Sequence, residues 1–394
     1  MVNKSIMIAD ITCRDGAQSS CANIKAEEKL RIAEQLIKLN VPIIEAGFPI
    51  ASDDDFKGVK LIAEEFGEIV TVCAMCRAVK KDIECAAKAL GNVSKRRIQV
   101  VMGTSDIHLK HKFNMNRNEA RALSAEMVNY ASEFTDDVEF AAEDATRSDI
   151  VYLIRVVRDC ISAGASTIEL PDTVGYSMPK EYYALIKQIV NVVHCSVKVS
   201  AHAHNDLGMA VPNTLAAILA GARQIETTIN GYGERCGNAS LEQIILNIKT
   251  RKDFFGEYYF PGINNQEIMN TCKLVADIFG QALPHHQPLT GKGAFSHESG
   301  IHQDGLIKSP QTYQIITPFD FGIKENPQFV LGKLSGKRAL EQKVKELGYD
   351  LTEEQIKEFS LHFKEFASDT KEQIDDLTVE QLLLTKFPNV KVID

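Results

Sequence analysis

The sequence is poor in several features that would each point to a function class. It has no dense Lys/Arg block, and its net charge of -9 would repel nucleic-acid phosphate, which argues against a nucleic-acid partner. It has no apolar run of membrane-spanning length, and Met1 to Asp10 carries one lysine and only a short apolar stretch. That segment matches neither a signal peptide nor a membrane anchor, so a cytoplasmic protein without membrane association is expected. Low-complexity segments and repeats larger than a strand-helix unit are also missing. With 44% hydrophobic and 25% charged residues, the composition is that of a folded chain with a full core. The nine cysteines are scattered rather than patterned, which excludes a disulfide framework and fits small apolar side chains. Cys73 and Cys76 form one C-x-x-C, but a zinc knuckle would want a second pair or nearby histidines, and this pair sits in an apolar, strand-like run.

What the chain does have is a regular alternation. Short runs rich in Val, Ile, Thr and Ala recur at Ser5–Thr12, Pro42–Phe48, Val70–Arg77, Arg97–Thr104, Asp137–Asp144, Ser166–Thr173, Ser196–His204 and Gln224–Gly231. Between them lie stretches with apolar residues at helical spacing, as in Ala26–Leu39, where Leu30, Ile32, Ala33, Leu36 and Ile37 recur with charges on the other face. Eight strand-helix units predict an α/β protein with a closed (β/α)8 TIM barrel. Such a barrel uses about 250 residues, so a chain of 394 has room for an appendage. The alternation stops after Phe260, which predicts a barrel over 1–260, a linker subdomain over 261–335 and a small, mostly helical subdomain over 336–394.

In a barrel of this kind the chemistry lies at the C-terminal ends of the strands, and four polar clusters fall there or just beyond. Asp10-Ile-Thr-Cys-Arg14-Asp15-Gly16 closes the first strand. His202-Ala-His204-Asn-Asp206 closes the seventh, where residues i and i+2 point to one side, so two imidazoles converge. Imidazole pairs with a carboxylate suit Zn²⁺ and related ions, and Asp15 is near enough around a closed barrel to be the third ligand. Gly231-Tyr-Gly-Glu234-Arg235-Cys-Gly237-Asn238 follows the eighth strand as a glycine-rich loop without phosphate-loop spacing. His297-Glu-Ser-Gly-Ile-His302-Gln-Asp304 lies beyond the barrel and crowds two histidines with two acids.

With these residues in view, the chain resembles the 2-isopropylmalate, homocitrate and citramalate synthase group of metal-dependent condensing enzymes. Asp10 to Gly16 is similar to the group's D-x-T-x-R-D-G signature, His202 to Gly208 to its H-x-H-[ND]-D-x-G strand end, and Gly233 to Asn238 to its G-E-R-x-G-N loop. The similarity runs from about Ile6 to about residue 340, with His297–Gly305 most like the isopropylmalate synthases. The resemblance implies an acyltransferase that joins acetyl-CoA to a 2-oxo acid, 2-oxoisovalerate by preference, giving an alkylmalate and CoA in a leucine-type pathway. It implies Asp15, His202, His204 and Asn238 as ligands of a divalent metal such as Zn²⁺, Mg²⁺ or Mn²⁺. Arg14 would stabilise the alkoxide, Thr173 would hold the substrate carboxylate, and Glu143 and Glu234 would be acidic groups near the substrate. His302 with Tyr313 would supply the general base from the region after the barrel, across a homodimer with shared active sites.

Three positions depart from the isopropylmalate synthase pattern. Where relatives tend to have His, Ser and Asn on pocket-lining strands, this chain has Gln99, Ala141 and Glu169. These are the candidate substrate-side-chain positions, and they leave citramalate, homocitrate or another alkyl- or arylmalate as alternative products. Outside the group stand a hydroxymethylglutaryl-CoA lyase-like cleavage, which shares the Arg-Asp and H-x-H sites, and a non-catalytic barrel. The chain ends at Asp394 without the C-terminal domain through which many isopropylmalate synthases sense leucine, so feedback control of that kind is not expected.

Overall fold

The structure is a computed structural model that describes residues 4–20, 22–324, 328–329, 331–333, 335–370 and 374–393. It comprises two compact units, Met1–Leu283 and Pro284–Asp394.

In the first unit eight parallel strands close into a barrel: β1 (Met7–Asp10), β2 (Ile43–Gly47), β3 (Thr71–Arg77), β4 (Arg96–Gly103), β5 (Val138–Glu143), β6 (Ala165–Asp172), β7 (Lys198–Ala203) and β8 (Gln224–Thr227). Closure is made by β1, which pairs with β2 through Ala9 and Ile43 and with β8 through Met7 and Gln224. Each strand is followed by its helix: α1 (Ala26–Lys38), α2 (Asp53–Phe66), α3 (Lys80–Leu90), α4 (Arg117–Ser132), α5 (Ile150–Ser162), α6 (Pro179–Val192), α7 (Ala210–Ala220) and α8 (Leu241–Thr250). The helix starts are written locally. Ser52 accepts the Asp55 N–H ahead of α2, whose first turn holds three aspartates, and Asn116 with Glu119 makes a capping box on α4. The apolar stripe of each helix, such as Ile32, Ala33 and Leu36 on α1, is buried against the sheet.

Strand parity divides the sheet. One set, including Ile8, Ile44, Val100, Phe140, Ile168 and Ile225, is fully or almost fully buried. The alternate set fills the lumen, as shown by side chains that meet across it: Arg97 on β4 reaches Gln224 on β8 at 2.8 Å, and Gln224 reaches Glu139 on β5 at 2.8 Å. Met7, Ala9, Ile43 and Cys73 form a small apolar cluster on the same parity of β1, β2 and β3. Cys73 and Cys76 are buried free thiols on β3, and Cys76 Sγ donates to the Gln99 carbonyl at 3.2 Å.

Helix α8 ends at Arg251, whose backbone leaves the helical region, and the chain resumes as the short turn Lys252–Phe255. The end of the strand-helix alternation near residue 260 is not the end of the first unit. A further helix, α9 (Ile268–Phe279), belongs to it because Gln35 of α1 donates to Glu267 and Thr271, Asn230 donates to the Cys272 carbonyl, and Tyr232 stacks on Phe279 at 4.7 Å.

The second unit has α10 (Gly300–Lys308), α11 (Lys337–Glu346), α12 (Glu353–Asp369) and α13 (Asp376–Lys386). The last three enclose a core of Leu340, Val344, Ile356, Phe359, Phe363, Val379 and Leu383. Two short strand pairs accompany them, Ser296–His297 with Gln328–Phe329 and Tyr349–Asp350 with Lys391–Val392. Among the described residues no helix is long and apolar enough to cross a membrane.

Candidate active site

The C-terminal mouth of the barrel gathers the first three sequence clusters. Beyond β1 the chain turns so that Arg14 and Asp15 face the lumen, with Arg14 Nη1 2.6 Å from Asp15 Oδ2. From β7, His202 and His204 project to the same side, their ring centroids 4.9 Å apart. His204 Nε2 lies 3.7 Å from Asp15 Oδ2. The loop after β8 crosses over this group, and Asn238 Nδ2 donates to Asp15 Oδ1 at 2.7 Å. Glycine permits the crossing. At Gly237, with φ of +83°, a side chain would meet the Gly231 carbonyl at 1.9 Å, and at Gly233 it would meet the Asn238 amide at 2.1 Å. Between these two glycines Arg235 adopts φ of +56° and is held there by a two-pronged bond to Asp206 and by the Thr173 carbonyl. Such strain persists only where the surroundings enforce it.

The charge states favour a cation. Burial would raise the Asp15 carboxyl, but Arg14, the two imidazoles and Asn238 outweigh it and hold Asp15 ionised well below the usual range. Burial pushes both His202 and His204 down to about 4, so at neutral pH both rings are uncharged and each offers a lone pair. One ligand atom from each of Asp15, His202 and His204 lies within 4.8 Å of the others. Asn238 Oδ1 and His204 Nδ1 are buried without a hydrogen-bond partner. Two neutral nitrogens and a carboxylate within reach of one another, beside an asparagine whose amide oxygen is buried without a partner, fit a divalent metal ion.

Residues 5–275 match the HMGL-like family, and residues 289–371 match the homocitrate synthase post-HMGL domain-like family. Among curated proteins, 2-isopropylmalate synthase 1 of Caldanaerobacter subterraneus subsp. tengcongensis is 48% identical over 375 residues, covering 95% of this chain and 94% of that one. The 2-isopropylmalate synthases of Pyrococcus furiosus and Carboxydothermus hydrogenoformans are 46% and 47% identical, covering 96% and 99% of this chain and 76% of each relative. The chain belongs to the 2-isopropylmalate synthase family. Among solved structures, the Bacillus subtilis HMG-CoA lyase superposes with a TM-score of 0.61 at 19% identity, covering 72% of this chain and 96% of that one, a likeness of fold alone.

The remaining candidates of this family member are distributed as follows. Glu143, at the end of β5, is gripped by Lys112, whose Nζ is 2.7 Å from both carboxylate oxygens, with His108 Nδ1 at 3.6 Å. The Thr173 hydroxyl accepts the Asp144 N–H at 2.9 Å. Glu234 is exposed, with Arg235 Nη1 3.6 Å away. Ala141 is buried on β5 and paired in register with Glu169 on β6. Gln99 and Glu169 are in the lumen, joined by a 2.8 Å hydrogen bond. In the second unit the His302 ring packs on Tyr313 with centroids 4.2 Å apart, and His297 lies 6.2 Å from His302. Gly305 makes that packing possible, because a side chain there would meet the Tyr313 ring at 2.6 Å.

Sequence reasoning missed the acids beneath the mouth. Glu45 on β2 lies 2.9 Å from Arg14 Nε, and Glu226 on β8 lies 2.9 Å from His202 Nδ1. Both are buried, and burial pushes them up to about 8 and about 7 in spite of Arg14. The available signal for Glu45 was a glutamate in the otherwise apolar strand β2, a residue type that is almost never buried without a partner, whereas Glu226 stands among the polar Gln224 and Thr227 on β8.

Proposed function

We propose that the chain is a divalent-metal-dependent acyltransferase that condenses acetyl-CoA with 2-oxoisovalerate, releasing CoA and forming 2-isopropylmalate for leucine-type biosynthesis. The observation that carries this reading is the convergence of Asp15, His202 and His204 beside Arg14 in a chain 48% identical to a 2-isopropylmalate synthase. Asp15, His202, His204 and Asn238 would hold the ion, which when bound supplies Lewis acidity toward the keto oxygen of a 2-oxo acid.

The chain's own residues do the rest. Arg14 is fixed between Asp15 and Glu45, so its guanidinium is preorganised to hydrogen-bond the oxygen on which negative charge develops. Thr173 at the end of β6 holds the substrate carboxylate, and Glu143 and Glu234 supply acidic groups at the rim. His302, packed on Tyr313, takes the proton from the acetyl methyl group, acting within a homodimer whose second units complete the shared sites. Water must then release CoA from the acyl thioester after the carbon-carbon bond has formed.

A thiol-release assay with acetyl-CoA and 2-oxoisovalerate, pyruvate, 2-oxobutyrate, 2-oxoglutarate and an aromatic 2-oxo acid tests the reading. The highest kcat/KM is expected for 2-oxoisovalerate, with activity lost on chelation and restored by Zn²⁺, Mg²⁺ or Mn²⁺. No CoA release from any pair defeats the synthase reading. His302→Ala is expected to lower kcat by about 10²- to 10⁴-fold, the usual contribution of a general base, while metal content stays at the wild-type level. Loss of metal in that variant would remove the base assignment.

A further inference from the structure

The residues under the metal site form a hydrogen-bonded floor with its own logic. His202 Nδ1 is 2.9 Å from Glu226 Oε2 and 3.6 Å from Glu169 Oε1. Gln99 Nε2 donates to Glu169 Oε2 at 2.8 Å and to Glu226 Oε1 at 3.3 Å, so one amide ties the two carboxylates together. Glu169 and Glu226 come from β6 and β8, which flank β7, and Gln99 reaches them from β4 across the lumen. All four side chains are 1–4% exposed. We propose that Gln99, Glu169 and Glu226 are positioning residues for His202 and, through it, for the divalent ion, and are not contacts for the side chain of the 2-oxo acid.

The physical argument starts from the imidazole tautomer. A carboxylate accepting from Nδ1 keeps the proton there, which leaves the Nε2 lone pair for the cation and makes the ring a more basic ligand. Glu226 is placed to do this, and the Gln99 amide holds Glu226 and Glu169 in register beneath the ring. Glu169, His202 and Glu226 also have ligand atoms within 4.8 Å of one another, the spacing of a second cation site. A cation there would need the Nδ1 lone pair and would displace the proton that makes the hydrogen bond to Glu226. It would also compete with the Gln99 amide, which already occupies one oxygen of each carboxylate. The hydrogen-bonded floor satisfies the same atoms without either cost.

The proposal rests on the reading of His202 as a metal ligand, and the test separates the two. Zn²⁺ affinity of the full chain is measured by competition with a fluorescent chelator, zinc content by mass spectrometry, and KM for 2-oxoisovalerate at saturating metal. Glu226→Ala is expected to weaken Zn²⁺ binding by about 10- to 100-fold, the usual effect of losing the partner of a ligating histidine. Glu226→Gln, which keeps an acceptor for Nδ1–H, recovers most of that loss. Gln99→Leu weakens binding in the same direction by less, with KM near the wild-type value in all three. If Glu226→Ala does not fold, the Gln and Leu variants carry the test by themselves. Unchanged zinc affinity with a shifted KM overturns the proposal in favour of substrate contact. Two zinc ions per wild-type chain overturn it in favour of a second site. If instead His204→Ala binds zinc as tightly as wild type, the metal-ligand reading itself has failed.

Discussion

Two layers of the same barrel lumen handle buried charge in opposite ways. In the lower layer Arg97 is matched by Glu139 at 2.8 Å and by the partly exposed Asp137 at 3.0 Å, with Gln224 bonded to both Arg97 and Glu139. The upper layer gives Arg14 alone to Asp15, Glu45 and Glu226, with Glu169 close behind. The lower arrangement pairs its one guanidinium with acids and an amide of its own layer. The upper one sets four acids against one guanidinium beside two neutral imidazoles, and burial pushes Glu45 and Glu226 up there, so a divalent cation would favour their ionised forms. Buried polar groups alone therefore do not mark a site in this fold. An imbalance among them, open toward the mouth, does.

The sharpest way to break the comparison is a substitution in each layer. If His204 holds the ion as proposed, His204→Ala in the upper layer is expected to abolish thiol release while the melting temperature moves by only a few degrees, because a ligand on a strand end serves the ion more than the core. Substantial turnover in a dialysed His204→Ala enzyme would dissolve the distinction. Arg97→Met in the lower layer is expected to do the reverse, lowering stability by about 3–5 kcal/mol in urea denaturation, since it leaves Glu139 buried without its counter-charge. Zinc affinity should stay at the wild-type level, and Arg97→Met combined with Glu139→Leu should regain part of the stability. A zinc affinity that fell with Arg97→Met would mean that the layers are not separable.

A smaller effect comes from pH. Burial, reinforced by Glu226, pushes the Glu139 carboxyl up from 4.5 to about 7 against the pull of Arg97. Between those values the folded chain holds a proton that the unfolded chain releases. This contribution to stability is therefore full below 4.5 and is lost as pH rises through about 7. The urea midpoint of the wild type should fall between mildly acidic and mildly alkaline buffer, and Glu139→Gln, which cannot titrate, should show a shallower fall. Parallel curves for the two proteins would show that Glu139 does not titrate in this range.

Much of the first unit was legible because its signals are local. Strand runs, amphipathic stripes and caps such as Ser52 and Asn116 depend on residues a few positions apart, so all eight strand-helix units appear where the pattern places them. The pairing of His202 with His204 was legible for the same reason, since i and i+2 share a face of any strand. The unit boundary was not, because α9 joins the barrel through contacts of Glu267 and Thr271 with Gln35, far away in the chain. Nor were Gln99 and Glu169 legible as a bonded pair, with 70 positions between them.

The sequence by itself determined the alternation that demands a closed sheet, the parity that aims His202 and His204 together, and the glycines that let the loop after β8 cross the mouth. Only the tertiary structure decided which distant groups become neighbours: Asp15 with Asn238, Glu226 with His202, and Arg97 with Gln224. Periodicity is a property of consecutive residues. The protonation state and hydrogen-bond partner of a buried charge are set by whichever strands closure brings around it.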